Sequence, residues 1–239
     1  ASFGALQLGQ TGDAGWTQNS SFSYNDTSDI LTGTGAGDTD LVNYRALGQD
    51  GAYELSVKVD MNASGVTSGD GTKYYKAGVI PYYLDENNFV QVWLQQWGAD
   101  GFSRMVARGK LNGQWLNGVD KEYLEPEGLT FDDIPVKGAV SFTMKFVVTE
   151  NTISVYLNGE PKMDIYPAQG TIAFPGIAYG VIMRNGGAEW SEFSLSEYPP
   201  VEQPDAEGWT SAQQENWTFA DGVLTGREND SDKNNDSYA

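Results

Sequence analysis

Through most of the first 198 positions, apolar and polar residues alternate in short runs. From Ala52 to Met61, Tyr53, Leu55, Val57, Val59 and Met61 point one way and Glu54, Ser56, Lys58 and Asp60 the other; from Ala139 to Val148, Val140, Phe142, Met144, Phe146 and Val148 share a face. Because side chains alternate across a strand, each run predicts a strand with one buried and one wetted face. Clusters of Gly, Asn, Asp, Ser and Thr separate such runs and predict strands near 15–24, 29–34, 40–47, 51–61, 73–84, 88–97, 102–110, 138–149, 152–158, 161–166, 177–184 and 188–196. No amphipathic helical period persists over three turns. The predicted class is all-β, an antiparallel β-sandwich or jelly roll.

The richest stretch is Lys73 to Trp97, which reads as a hairpin about the turn cluster Asp85-Glu86-Asn87-Asn88. Centred on that turn, Leu84 faces Phe89, Tyr82 faces Gln91, Ile80 faces Trp93, Gly78 faces Gln95 and Lys76 faces Trp97, all on one side. The other side, with Ala77, Val79, Pro81, Tyr83, Val90, Val92, Leu94 and the single amide Gln96, reads as core. The first side mixes rings with amides, a composition that stacks on a sugar ring and hydrogen-bonds its hydroxyls. Tyr82, Gln91, Trp93, Gln95 and Trp97, edged by Lys76, are therefore the candidate ligand-binding residues. A competing reading lays this face beneath the long 111–137 segment, or against a neighbouring module, as ordinary core. Asp85, Arg184 and Asn185 sit at hairpin ends that share an edge with it; an Arg fork suits hydroxyls or a sugar carboxylate, whereas Asp85 and Asn185 also fit plain turn chemistry.

Other turns are Asn158-Gly159, which supplies the positive φ of a type I′ hairpin, and Asn185-Gly186-Gly187. Between Leu111 and Lys137 the alternation weakens, predicting a long loop around Trp115 with a helical turn near Lys121 to Leu124. Pro199, Pro200 and Pro204 mark a linker over 199–207. Beyond it the beginning of the chain recurs. Gly208-Trp209-Thr210 matches Gly15-Trp16-Thr17, and Val223-Leu224-Thr225-Gly226 matches Ile30-Leu31-Thr32-Gly33, with Tyr24 falling on Trp217 at the same offset. A constant offset signals tandem modules. The expected organisation is one module over 1–198 and the start of a second, truncated copy over 208–239; the alternative is a hairpin that closes the first module.

Composition narrows the chemistry. Fourteen Lys plus Arg against 33 Asp plus Glu leave a net charge of −19, which repels phosphate backbones and anionic lipid, so nucleic acid is not an expected partner. There is neither Cys nor His, which removes disulfides, thiol chemistry, imidazole acid–base catalysis and Cys- or His-rich metal sites. No apolar run is long enough to insert into a membrane as a helix. Oxygen ligands remain, and Asp60-Met61-Asn62-Ala63-Ser64-Gly65 follows the first half of a calcium loop, with Asp70 nearby and Gly71 where a bidentate Glu is expected. Asp60, Asn62 and Asp70 are the candidate ligands of a structural Ca²⁺, and Asp230 to Asp236 is a second oxygen-rich string. Asn19, Asn25, Asn62, Asn216, Asn229 and Asn235 lie in Asn-x-Ser/Thr sequons.

The order LVNY…GAYELSVKVDM, KAGVIPYYLDENNFVQVWLQ, VSFTMKFVVTENTISVYLNGE and GIAYGVIMRNGGAEWSEFSLS resembles the concanavalin A-like, laminin-G-like jelly rolls of bacterial secreted proteins, including modules similar to the family 66 carbohydrate-binding modules. The resemblance covers residues 15 to 198 and the start of the second copy. It implies a sandwich, often in tandem beside a glycan-active enzyme and often with a structural Ca²⁺, and hence a secreted or cell-surface protein whose partners are a polysaccharide or glycan and neighbouring modules. Fold alone does not license function. Tyr74-Tyr75-Lys76-Ala77-Gly78-Val79 is similar to a motif of family 7 alginate lyases, but the motif comes early here and the chain has no His. The acid pattern of jelly-roll glycosidases is also missing, since Glu189-Trp190-Ser191-Glu192 and Glu122-Tyr123-Leu124-Glu125 do not fit it. The expected function is a non-catalytic carbohydrate-binding module; the alternatives are a structural or adhesin spacer repeat and a glycoside hydrolase on the same fold.

Overall fold

A computed structural model describes residues 15–17, 19–35, 39–48, 51–62, 74–97, 103–116, 123–124, 139–168, 170–173, 176–198, 217–220 and 223–226. The alternating runs become strands, in chain order β1 (Phe22–Asn25), β2 (Ile30–Gly35), β3 (Leu41–Ala46), β4 (Tyr53–Asn62), β5 (Tyr74–Asp85), β6 (Asn88–Trp97), β7 (Ser103–Leu111), β8 (Gln114–Trp115), β9 (Tyr123–Leu124), β10 (Ala139–Val148), β11 (Ile153–Leu157), β12 (Glu160–Ile165), β13 (Ala178–Arg184), β14 (Gly186–Glu197), β15 (Trp217–Ala220) and β16 (Val223–Gly226). They form a first sheet in the order β1-β2-β14-β4-β10-β11-β12 and a second in the order β3-β13-β5-β6-β7-β8, with β9 also on β7. Every pairing between these strands is antiparallel. The inner faces meet in one core: Leu55, Val57, Val59, Phe142, Met144, Phe146 and Trp190 of the first sheet pack on Ala77, Val79, Val92, Leu94, Val181 and Met183 of the second. This is a β-sandwich jelly roll.

Two of the sequence readings are corrected. Tyr123–Leu124 pairs with β7 as a short strand, where a helical turn was expected. The β5–β6 hairpin is also shifted from the symmetric register: Lys76 faces Gln95, Gly78 faces Trp93 and Tyr83 faces Phe89, with the register jumping between Tyr83 and Asp85 and again between Val79 and Tyr82. The second jump comes from Pro81. β5 is a central strand, and proline has no N–H to give the ladder, so the strand bulges there and two residues, Ile80 and Pro81, oppose Gln91. The freed Pro81 carbonyl accepts the Tyr53 hydroxyl of the first sheet at 2.7 Å. One extra residue flips every side chain beyond it. Tyr82 consequently enters the inner core, its hydroxyl donating to the Ala173 carbonyl, and Tyr83 takes the outer position instead.

The chain divides into two compact units, Ala1–Tyr198 and Pro199–Ala239. In the second, β15 pairs with β16, Trp217 opposite Gly226 and Ala220 opposite Val223. In the first, Phe22 lies opposite Gly33 and Asn25 opposite Ile30. The later hairpin is closed by two residues in place of four, so Trp217 corresponds to Phe22, and Phe219 rather than Trp217 corresponds to Tyr24.

Candidate functional site

The outer face of the second sheet is built by cross-strand rows. Arg184, Lys76, Gln95 and Arg104 lie side by side across β13, β5, β6 and β7; the next row is Ile182, Gly78, Trp93 and Val106; beyond the bulge come Gln91 and Arg108. A second apolar cluster covers part of this face: Tyr44, Ile80, Tyr83, Phe89, Trp93, Val106, Ala178 and Ile182. The open aromatic platform expected from the sequence is therefore not what forms, since Gln91 and Trp93 are fully buried and Lys76 and Gln95 nearly so.

What forms instead is a charged knot around Asp40, a residue just ahead of β3 that no sequence pattern marked. Lys76 Nζ donates to Asp40 Oδ2 at 3.0 Å, Arg184 Nε to Asp40 Oδ1 at 2.6 Å, and Arg108 stands 3.8 Å from Oδ2. Lys76 Nζ also lies 3.8 Å from the centroid of the Trp93 ring, while the Trp93 indole N–H donates to Gln95 Oε1 at 3.0 Å. The ring and the carboxylate together hold the ammonium. Solvent reaches the knot at its rim, where the side chains of Arg184 and Arg108 are 20% and 13% exposed. Gln91 stands opposite Arg108, and among the described residues neither atom of its buried amide has a hydrogen-bond partner. Tyr44, in the same outer cluster, has a buried hydroxyl likewise unpaired.

Of the sequence candidates, Lys76, Gln91, Trp93, Gln95 and Arg184 are thus brought together, and Asp40 and Arg108 are the members sequence reasoning missed. Tyr82 is on the inner face. Trp97 belongs to β6, but its side chain is outside the described residues. Asp85 does turn chemistry, its Oδ1 accepting from the Asn87 N–H at 2.8 Å and from Asn88 Nδ2 at 3.0 Å. Asn185 takes a positive φ of 56° at the β13–β14 turn. Asp60 and Asn62 lie in β4, two positions apart on one face and paired on both sides, rather than wrapped in a loop; Asp70 and the 230–236 string lie outside the described residues. Among the described residues, no group of three acids could hold a metal, and no helix is long and apolar enough to cross a membrane.

Burial pulls the Lys76 ammonium down from 10.5 to about 8; Asp40 opposes this, while Arg184 and Arg108 add to it. For Asp40, burial pushes upward, but the Lys76 charge and the Arg184 and Lys76 hydrogen bonds outweigh it and hold the carboxyl below its ordinary value. A carboxylate held ionised is the opposite of a general acid. The pH consequences follow from linkage. The unfolded chain keeps the Lys76 proton to about pH 10.5, whereas the folded chain releases it near 8, so stability is expected to rise as pH climbs from 8 towards 10, by on the order of 2 kcal/mol. Above pH 10 the buried tyrosines Tyr44, Tyr53 and Tyr82, all pushed up by burial, reverse the trend. At the acid end, the Asp40 contribution is lost as pH falls below 3.8. Urea titrations at pH 7, 8, 9 and 10 check the alkaline limb; a Lys76→Met variant should lack the rise.

The two antiparallel sheets, packed face to face, define a β-sandwich jelly roll. No protein-family model and no curated protein sequence matches the chain. Among solved structures it is similar to the carbohydrate binding module CBM66 from Bacillus subtilis, with 11% identity and a TM-score of 0.48 over 77% of this chain and 96% of that one. It is similar also to the Emp47p carbohydrate recognition domain, at 11% identity and 0.49 over 79% and 90%, and to CG-16, a homodimeric agglutinin from chicken liver, at 11% and 0.41 over 66% and 100%. At these identities the likeness concerns the fold.

Proposed function

We propose that this chain is a non-catalytic carbohydrate-binding module of a secreted or cell-surface bacterial multidomain protein, and that the sugar enters the second sheet's outer face at the Asp40–Arg108–Arg184 rim. The observation that carries the reading is Gln91. Its amide offers one acceptor and two donors, is buried, and meets no partner among the described residues. An unsatisfied buried polar group costs about 1–3 kcal/mol, which Leu or Met at that position would avoid. Sugar hydroxyls both donate and accept, so a glycan that displaced the Arg108 side chain at the rim would reach and complete this amide.

The test is a glycan array run with and without chelator, which also decides whether calcium is needed, followed by Gln91→Leu against whichever glycan is retained. The variant is expected to fold, to be as stable as the wild type or more so, and to bind about ten- to a hundredfold more weakly, the equivalent of one or two hydrogen bonds. Unchanged affinity in Gln91→Leu would remove the site from this face. The full burial of Trp93 favours a second reading, a structural spacer whose outer layer is ordinary core. It predicts an empty array and a Gln91→Leu variant changed in stability alone.

A further inference from the structure

The opposite face of the sandwich carries a second feature, separate from the knot. A groove of about 460 Å³ opens on the outer face of the first sheet. Two cross-strand rows build it. Thr32, Glu189, Asp60 and Ser141 stand side by side across β2, β14, β4 and β10; in the next row are Thr34, Gly187, Asn62 and Ala139. At about 4.8 Å per strand, each row spans roughly 14 Å, the length of a short oligosaccharide. Gly187 and Ala139 give the second row a low floor, and the first row forms a wall of hydroxyls and carboxylates.

Among the described residues, the side chains of Thr32, Thr34, Ser141 and Glu189 make no hydrogen bond or ion pair with protein. Asp60 and Glu189 are like charges directly opposite each other on neighbouring strands, an arrangement that costs a sheet stability. The cation beside them, Lys58, is 3.9 Å from Asp60 and turns also to Glu192 at 3.5 Å, leaving Glu189 with no cation of its own among the described residues. A ligand that suits this groove brings hydroxyls for the Thr and Ser side chains and a positive charge for the facing carboxylates. A sugar acid would meet repulsion from both.

We infer that this groove is a second saccharide site and that it selects glycans carrying unacetylated amino sugars, whose ammonium sits between Asp60 and Glu189. The site is independent of Gln91, so the two readings fail separately. The experiment is calorimetric titration of the whole chain with three probes: a glucosamine trisaccharide, its N-acetylated counterpart, and a uronate-bearing trisaccharide. The glucosamine probe is expected to bind about tenfold more tightly than the N-acetylated one at low salt, because charge-assisted hydrogen bonds are about twice as strong as neutral ones, with the preference shrinking as salt rises. The uronate should not bind here.

Gly187→Leu is the decisive variant. A Cβ at Gly187 meets only the Gly33 carbonyl oxygen, at 3.6 Å, an ordinary contact, so the larger side chain fills the groove without straining the sheet. Glucosamine binding should fall at least tenfold in Gly187→Leu and in the shape-preserving pair Asp60→Asn, Glu189→Gln, and should persist in Gln91→Leu. Equal binding of the amino and N-acetylated probes, or undiminished glucosamine binding in Gly187→Leu, overturns the inference. The second result would mean that the net charge of −19 attracts the probe without a site.

Discussion

Asp40→Ala is expected to destabilise the first unit by about 3–5 kcal/mol, the usual cost of breaking a buried ion pair by removing one partner. The side chain of Lys76 is only 1% exposed and its nearest anionic oxygen, 3.0 Å away, belongs to Asp40. Without that carboxylate the Trp93 ring remains, and a cation–π contact at a desolvated site supplies about 2 kcal/mol, too little to hold the ammonium out of water. The lysine can escape by releasing its proton, which becomes easier as pH rises towards 8, so the loss should shrink as pH climbs. Asp40→Asn keeps shape and a hydrogen-bond acceptor while discarding the charge, so it should cost less than the alanine but still more than 1 kcal/mol. Lys76→Met in the Asp40→Asn background should recover much of the loss, because a neutral, well-filled pair removes the charge that had to be compensated. Urea denaturation of the wild type, Asp40→Asn, Lys76→Met and the double variant completes the cycle, with Asp40→Ala measured beside them. An Asp40→Ala variant within 0.5 kcal/mol of the wild type would show that the knot is screened at its rim and holds little.

Why Asp40 escaped sequence reasoning, while the sandwich did not, is a matter of what alternation records. The apolar positions of β4 and β10 are set by burial on one face, and burial leaves a period of two that can be read directly. The knot depends on which strands become neighbours. Asp40 meets Lys76 and Arg184 across 36 and 144 residues because β13 lies between β3 and β5, an order no local pattern encodes. One signal was available: Lys76 interrupts the otherwise apolar run of β5 at an outer-face position, and Arg184 closes the apolar run of β13. The register error has a simpler source. A hairpin centred on its turn is right only if both strands are regular, and Pro81 in a central strand was sufficient warning that β5 is not. Past that bulge Tyr82 and Tyr83 exchange faces, so of the three rings expected on the outer face Trp93 is there, Tyr82 is not, and the Trp97 side chain lies outside the described residues.

Gly78→Ala should be among the most damaging single-methyl changes in the protein, at about 2–3 kcal/mol or more. The glycine sits in the middle of β5, opposite Trp93, under the cation and ring of the knot. A Cβ built there falls 2.1 Å from the Val92 carbonyl oxygen, 2.4 Å from the Trp93 Cα and 2.6 Å from its Cβ. All three belong to the neighbouring strand's backbone or the root of its side chain, so no rotamer change relieves the contact. Moving β5 instead would disturb the opposite sheet, because the Trp190 indole N–H donates to the Gly78 carbonyl at 2.9 Å and Trp190 is fully buried. Overpacking typically costs 1–3 kcal/mol, and the gain of about 0.4–1 kcal/mol from stiffening the unfolded chain is too small to cancel it. The same reasoning ranks two other glycines. At Gly33 the closest atom is the Met183 sulfur at 2.6 Å, the movable part of a flexible side chain, so alanine there should cost less than at Gly78. At Gly187 the contact is ordinary, and alanine should be neutral or slightly stabilising. Thermal melts of the three alanine variants test the order Gly78, Gly33, Gly187. A Gly78→Ala protein as stable as Gly187→Ala would mean that the β5–β6 pair separates easily beneath Trp93.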